Sequence, residues 1–172
     1  MNFTKKELQR SFWSLQEERH FDKITVKNVI ACCGVNRNTF YYHFRNMRDL
    51  MRASVQSWLE DLDCSAPEAL LDGLQKHRAA LLNIYRSLPR DEFIGELNLW
   101  MRSLLCRALS PWAGRVSALR DDQEMLLSLC QWGMRGFFLE WLEEGLTPPS
   151  GARFLRCCAL LKRILSSRAP AR

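Results

Sequence analysis

Residues 32–46, CCGVNRNTFYYHFRN, hold the side chains best suited to chemistry at a surface. Arg37, Asn38, Thr39 and Tyr41 follow one another closely, with Tyr42, His43 and Arg45 just behind. An arginine can grip guanine through two hydrogen bonds, an asparagine can do the same for adenine, and a threonine methyl can meet a thymine methyl. Tyrosine hydroxyls, histidine and helix N-termini suit phosphate oxygens, which hold register without reading sequence. The thiols of Cys32 and Cys33 raise metal or redox chemistry as a second option. That option finds little support elsewhere. The other cysteines, Cys64, Cys106, Cys130, Cys157 and Cys158, form no C-x-x-C pair and no Cys/His cluster at zinc spacing.

Which of these side chains face outward depends on the elements that carry them. Thr25 is placed to cap a short helix over residues 26–32 that buries Val29 and Ile30, and Gly34 is free to take the positive φ that closes it. Asn36 caps a third helix of about two turns. On it, Phe40 and Phe44 stand four apart, share one face and pack inward with Val35. The opposite face then presents Arg37, Asn38, Tyr41 and Arg45, with Thr39, Tyr42 and His43 at its edges. Two short helices joined by a glycine turn make a helix-turn-helix, whose second helix enters the major groove of DNA. A solvated Arg/Tyr face beside a chance glycine turn would give the same pattern. Patterning alone leaves both readings open.

The rest of the chain reads as helix throughout. Thr4, with Glu7, caps a first helix to about residue 19 whose inner face carries Leu8, Phe12 and Leu15. The tight connector HFDKI follows it. Asn46 caps a fourth helix to about residue 63, with Leu50, Met51, Val55, Trp58 and Leu62 on its buried side. A capping box at Ser65 and Glu68 opens a fifth helix that runs to about residue 87, where LPRDE breaks it. Another helix spans about 91–109. Asp121 with Glu124 opens a long helix stopped by Gly145, and Ser150 starts the last one. The fold class is all-α: a three-helix N-terminal helix-turn-helix head joined to a C-terminal helical bundle. The domains expected are a head at 1–46, a connecting helix at 47–63 and a helical domain at 64–172.

Bulk properties agree with a polyanionic partner. The 172 residues carry a net charge of +6, with 47% hydrophobic and 26% charged residues, and a pI near 9.1. The basic residues cluster: Arg37, Arg45, Arg48 and Arg52 stand against Asp49 alone in residues 34–52. The N-terminus has no apolar core with a small-residue cleavage site, so no signal peptide is expected. The most apolar run, residues 125–142, is interrupted by Gln131, Arg135 and Glu140, short of the about 20 apolar residues a membrane span needs. A reducing, cytoplasmic setting with no membrane partner is the expectation.

The stretch ITVKNVIACCGVNRNTFYYHFRNMRDL resembles the N-terminal signature of the tetracycline-repressor (TetR) family of transcription regulators. The shared features are Thr25–Val26, Gly34–Val35, the T-F-Y-x-H-F core at 39–44, and Asn46 with Leu50. The resemblance implies a homodimer that binds a near-palindromic double-stranded DNA operator, most simply as a repressor released by an effector. It implies base-facing positions at Asn36, Arg37, Asn38, Thr39 and Tyr41, backbone contacts at Tyr41, Tyr42 and His43, and further contacts from Thr25 and Lys27. There are departures. Met47 stands where the family usually has a phosphate-gripping lysine, and Arg48 next door is the substitute. Ile30 and Cys33 replace alanines, and Asn38 replaces a frequent glycine. A protein-interaction co-regulator of the same fold, acting through a partner protein, is the alternative.

Beyond residue 64 the resemblance is one of layout, and it implies that residues 64–172 form a C-terminal helical effector bundle for ligand binding and dimerisation. The segment WGMRGFFLEWLEEGLTPP with the helix after it resembles the family's dimer-forming segment, which implies an interface at Trp132, Gly133, Gly136, Phe137, Trp141, Leu155 and Cys158. The apolar residues from Met125 to Leu142 cover almost the whole helix circumference, so a partner subunit, or the centre of a monomeric bundle, must cover the second side. For a small hydrophobic effector, the candidate pocket residues are Trp58, His77, Phe93, Trp100, Met101 and Trp112, with Arg78 as a further polar handle; aromatics at helical spacing also serve as plain core. Neither a cofactor nor a metal is implied. His20, His43 and His77 lack catalytic partners, and neither a nucleophile set nor a phosphate-binding glycine loop is visible, so no enzyme is expected.

Overall fold

A computed structural model describes residues 2–63, 66–112 and 120–167, apart from the side chains of residues 2, 112, 120, 149, 165 and 167. Among the described residues the regular elements are helices only. In chain order they are α1 (Asn2–Glu18), a 3-10 turn (Phe21–Lys23), α2 (Val26–Cys33), α3 (Arg37–His43), α4 (Met47–Asp61), α5 (Pro67–Lys76), α6 (Arg78–Ser87), α7 (Arg90–Leu109), a second 3-10 turn (Ser110–Trp112), α8 (Arg120–Glu143) and α9 (Pro148–Ser167). They pack as two compact units, Met1–Asp61 with Lys76–Glu96, and Leu62–Gln75 with Leu97–Arg172.

In the first unit, α1 is the central strut. Leu8 and Phe12 are fully buried on its inner face, and Phe12 meets Phe21 edge-on with ring centroids 6.3 Å apart. Polar bonds fix its neighbours. Gln9 Nε2 donates to the Ala53 carbonyl on α4 at 2.8 Å. From α6, Asn83 Nδ2 donates to the Gln16 carbonyl at 2.7 Å, and Ser87 Oγ accepts from the Phe21 N–H at 3.0 Å. The first helix begins at Asn2, so Thr4 lies inside its first turn and does not cap it. The Ser65 cap falls outside the described residues.

The single fifth helix expected over residues 65–87 is instead two, α5 and α6, with a break at His77. His77 takes φ −100° and ψ 18°, the sparsely allowed bridge region. Neither glycine nor proline marks the break. Its cause is tertiary: the imidazole lies against Trp13 with centroids 4.3 Å apart and meets Trp58 at 5.5 Å. Helical periodicity continues through such a site, so the sequence pattern gives no sign of it.

In the second unit, α8 ends as the apolar pattern and Gly145 require. Gly145 (φ 75°) and Leu146 (φ 56°) are both left-handed. The Gly145 N–H bonds the Leu142 carbonyl at 3.0 Å and the Leu146 N–H bonds the Trp141 carbonyl at 2.8 Å. This is the double bond of a Schellman stop. Leu146 is fully buried, which holds a non-glycine residue in a conformation it would otherwise avoid. The last helix then starts at Pro148, earlier than Ser150. Trp141 stacks on Phe154 at 6.1 Å and 24°. Gly151 is needed here because a Cβ would stand 2.7 Å from Leu71 Cδ1 and 3.3 Å from Trp141 Cζ2.

The half-buried His77 makes the first unit sensitive to pH. Its Nδ1 is buried with no hydrogen-bond partner among the described residues. Burial and, secondarily, Lys76 push its pKa below the ordinary 6.5, while Glu17 pulls the other way. The unfolded chain therefore binds the proton more readily than the folded one. Stability is complete above the ordinary histidine pKa and is lost as pH falls from there through the folded value. Thermal melts from about pH 8 to pH 5 should show His77→Gln losing less stability than the wild type on acidification. Parallel losses in the two proteins would contradict this assignment.

Candidate nucleic-acid interface

Helix α3 is short, and every level of local structure acts to fix it. In α2, Thr25 Oγ1 accepts from the Asn28 N–H at 3.3 Å and Asn28 Oδ1 accepts from the Thr25 N–H at 2.9 Å, a reciprocal capping box. Val29 is buried beneath it. Gly34 closes α2 at φ 69°, as the pattern anticipates. Asn36 Oδ1 then accepts from the Thr39 N–H at 2.8 Å and opens α3. Phe40 and Phe44 are buried at 0% and 2% exposure, with rings 5.9 Å apart. Their burial sets which way the remaining side chains point.

Those remaining side chains form a polar, basic row. Arg37 and Asn38 are exposed on the first turn, and Tyr41 and Tyr42 are 46% and 66% exposed. The Arg37 guanidinium lies 5.5 Å over the Tyr41 ring, and its Nη2 donates to the Tyr41 hydroxyl at 3.4 Å. That contact pre-orients two of the groups proposed to meet DNA. Thr39 and His43 are half-buried at the edges. Thr25 and Lys27 are exposed at the start of α2. Asn36 and Thr39 are partly committed already: Thr39 Oγ1 donates to Asn36 Oδ1 at 3.0 Å, so cap and side chain serve each other.

At the start of α4, Asn46 Oδ1 accepts from the Asp49 N–H at 2.9 Å, and Asp49 Oδ2 accepts from the Arg45 N–H at 2.9 Å. Met47 and Arg48 line an open groove together with Phe21, Asp22, Ile24, Val26, Tyr41 and Asn46. Arg48 Nε also donates to Glu92 Oε1 at 2.9 Å. One turn along, Arg52 Nε donates to Glu96 Oε2 at 2.8 Å and its Nη2 reaches Glu96 Oε1. This bond, ahead of the charge itself, raises the Arg52 pKa. The N3 acceptors Asn28 and Asp49 were recoverable from capping-box spacing. Glu92 and Glu96 lie too far along the chain for any local signal to pair them with α4.

The six described cysteines are all free thiols. Cys32 is exposed, and Cys33 is half-buried with its Sγ donating to the Val29 carbonyl at 3.2 Å. Burial pushes the Cys130 thiol up and the Cys158 thiol to about 11, away from the thiolate that redox or metal chemistry needs. No cluster of His, Cys, Asp or Glu suited to a metal occurs among the described residues, and no described helix is long and apolar enough to cross a membrane.

The candidate pocket residues fall in different places. Trp58 and His77 close on Trp13 in the first unit, where Phe93 packs on Tyr85 at 5.1 Å. Trp100 and Met101 are buried in the second unit, and the Trp112 side chain lies outside the described residues. None of the other five lines the apolar cavity of about 90 Å³ in the second unit. That cavity is lined by residues including Leu70, Leu104, Leu105, Met134, Phe154, Cys158 and Leu161, with Asp63 and Lys162 also on its wall. The candidate interface residues divide too. Trp141 is 1% exposed and belongs to its own unit's core, whereas Trp132 is 56% exposed and aligns with exposed Gly133 and Gly136. Met125 and Leu129, at 60% and 55% exposure, extend that apolar stripe along α8. Phe137, Leu155 and Cys158 are half-buried.

Residues 13–54 match the family model "Bacterial regulatory proteins, tetR family". Over that stretch the head is similar to those of TetR-family regulators. The match starts within α1 and ends within α4, and so encloses the helix-turn-helix described above. Among solved structures, the dihydroxyacetone kinase operon activator DhaS is similar in fold, with a TM-score of 0.72 at 14% identity over 96% of this chain and 98% of that one. A regulatory protein TetR from Rhodobacter sphaeroides aligns at 22% identity and a TM-score of 0.43, over 88% of this chain and 95% of that one. No curated protein sequence gives a significant match.

Because the α3 cap rests on one side chain, Asn36→Ala should lower stability by about 1 kcal/mol. Chemical denaturation of the two proteins measures it. An unchanged midpoint would mean that the Phe40 and Phe44 anchors hold α3 without the cap.

Proposed function

We propose that the chain is a homodimeric transcription regulator of the TetR type that reads a near-palindromic double-stranded DNA operator with α3 and acts as a repressor. The observation that carries this reading is the exposed row of Arg37, Asn38 and Tyr41, held outward by the buried Phe40 and Phe44 on the opposite face. Arg37 and Asn38 are the base readers, Tyr41 serves base or backbone, and Thr25, Lys27, Tyr42, His43 and Arg48 position the head on phosphates. Asn36 and Thr39 contribute chiefly by building the helix that carries the others.

Dimer formation is supported by the uncovered apolar stripe of Met125, Leu129 and Trp132 on α8, beside Gly133 and Gly136, which let another backbone approach closely. Two heads in one dimer would meet successive major-groove faces at a fixed spacing. A small apolar effector, of a size to enter the cavity between α5, α7, α8 and α9, would favour a dimer whose heads are wrongly spaced and release the DNA. The similar structure named an operon activator bears that name for itself; at 14% identity it supports the fold and not the sign of regulation.

One observation favours the co-regulator alternative. Met47 replaces the phosphate-gripping lysine, and Arg48 is held by Glu92, so the start of α4 offers DNA a weaker grip. Binding of a duplex measured across salt concentrations separates the two readings, because phosphate contacts make affinity fall steeply with salt. No binding at low salt would favour the co-regulator.

For a duplex selected by the wild-type protein, Arg37→Ala should cost about 1–3 kcal/mol and relax the base preference at one position of each half-site. Competition binding against single-base variants measures both. Retained affinity and preference would remove Arg37 from the reading edge.

A further inference from the structure

Two arginines of α4 face two glutamates of α7 one turn apart, and the two ion pairs differ in kind. Arg52 engages Glu96 through both carboxylate oxygens, and the glutamate side chain is 6% exposed. A fork on a buried carboxylate is a structural clamp that resists exchange. Arg48 instead makes a single 2.9 Å contact with Glu92, with side-chain exposures of 56% and 26%. An exposed single contact of this kind is weak and open to competition. Arg48 also lines the groove with Tyr41, Asn46 and Met47, beside the recognition helix. Its guanidinium therefore has a carboxylate on one side and, on the proposed reading, a backbone phosphate on the other.

We propose that Glu92 is a latch that competes with DNA phosphate for Arg48, so that operator binding requires the Arg48–Glu92 pair to open while the Arg52–Glu96 clamp stays closed. This rests on the DNA-binding reading above and adds an acidic residue that no local sequence signal identifies. Arg48 is the exchangeable cation because Met47 next to it brings none. Of the other charged groups here, Asp49 accepts from the Arg45 backbone N–H, Arg52 and Glu96 hold each other, and Asp22 on the groove wall pairs with Lys23 at 3.4 Å. The latch makes phosphate binding an exchange of one anion for another at a single guanidinium. It lowers affinity for all DNA alike and leaves base preference unchanged.

The test is a double-mutant cycle with Glu92→Gln and Arg48→Ala, read by binding of a short mixed-sequence duplex across salt concentrations. Glu92→Gln should raise affinity about two- to fivefold at low salt. The slope of log affinity against log salt should stay the same in Glu92→Gln, because Arg48 meets phosphate in both proteins, and should become shallower by about 0.9 in Arg48→Ala, which loses that contact. In the Arg48→Ala background the gain from Glu92→Gln should vanish. Wild-type binding with no change in Glu92→Gln overturns the latch alone. The same gain with Arg48 absent also overturns it, because loss of a negative charge anywhere on this face would then explain the result. No wild-type binding at low salt overturns the DNA-binding reading and the latch with it.

Discussion

A helix of seven residues has almost no stability of its own, because nucleation uses up most of what so few backbone bonds return. The head depends on the packing of Phe40 and Phe44, both removed from solvent, against the small core built around α1. These two rings give α3 its existence and its rotation at once. With them inside, Arg37, Asn38 and Tyr41 can only face outward. The caps of Thr25 and Asn36 and the left-handed Gly34 then fix where the helix starts and how the chain enters it. An interface intended to read a rigid duplex needs this, since a base contact tolerates little error in side-chain origin.

Around that core the charges are arranged with two different strengths. Arg52 and Glu96 form a partly buried fork that ties α4 to α7. Arg48 and Glu92 form the looser pair nearer the groove. A mixture of one firm contact and one exchangeable contact allows a surface to stay ordered and still hand a cation to an incoming phosphate. On the proposed reading, the uncharged Met47 leaves the phosphate contact at the start of α4 to Arg48. His77, pressed between Trp13 and Trp58 where α5 gives way to α6, is a second place where a charged state conflicts with its packing.

Much of the head was legible in the sequence because its signals are local. Thr25, Gly34, Asn36 and Asn46 do what their residue types do at caps and turns, and Phe40 and Phe44 obey the i, i+4 rule. The Schellman stop at Gly145 belongs to the same class. What escaped depends on residues distant in sequence. The break at His77 comes from rings of α1 and α4, and the partners of Arg48 and Arg52 lie on α7. The cavity wall draws mostly on leucines, with Phe154 as its aromatic, whereas Phe93 and Trp100 pack into the cores of their own units and Trp58 closes on Trp13 and His77. The long apolar helix α8 divides as periodicity cannot say: Trp141 inward, Met125, Leu129 and Trp132 outward.

The central claim is that α3 reads DNA from a symmetric pair of heads. Selection of bound duplexes from a random pool by the wild-type protein tests it most directly. The account predicts enrichment of a two-fold repeat whose half-sites are centred about one helical turn, or a multiple of it, apart. A pool that stays random through successive rounds at low salt would contradict it, as would enrichment of a single asymmetric site.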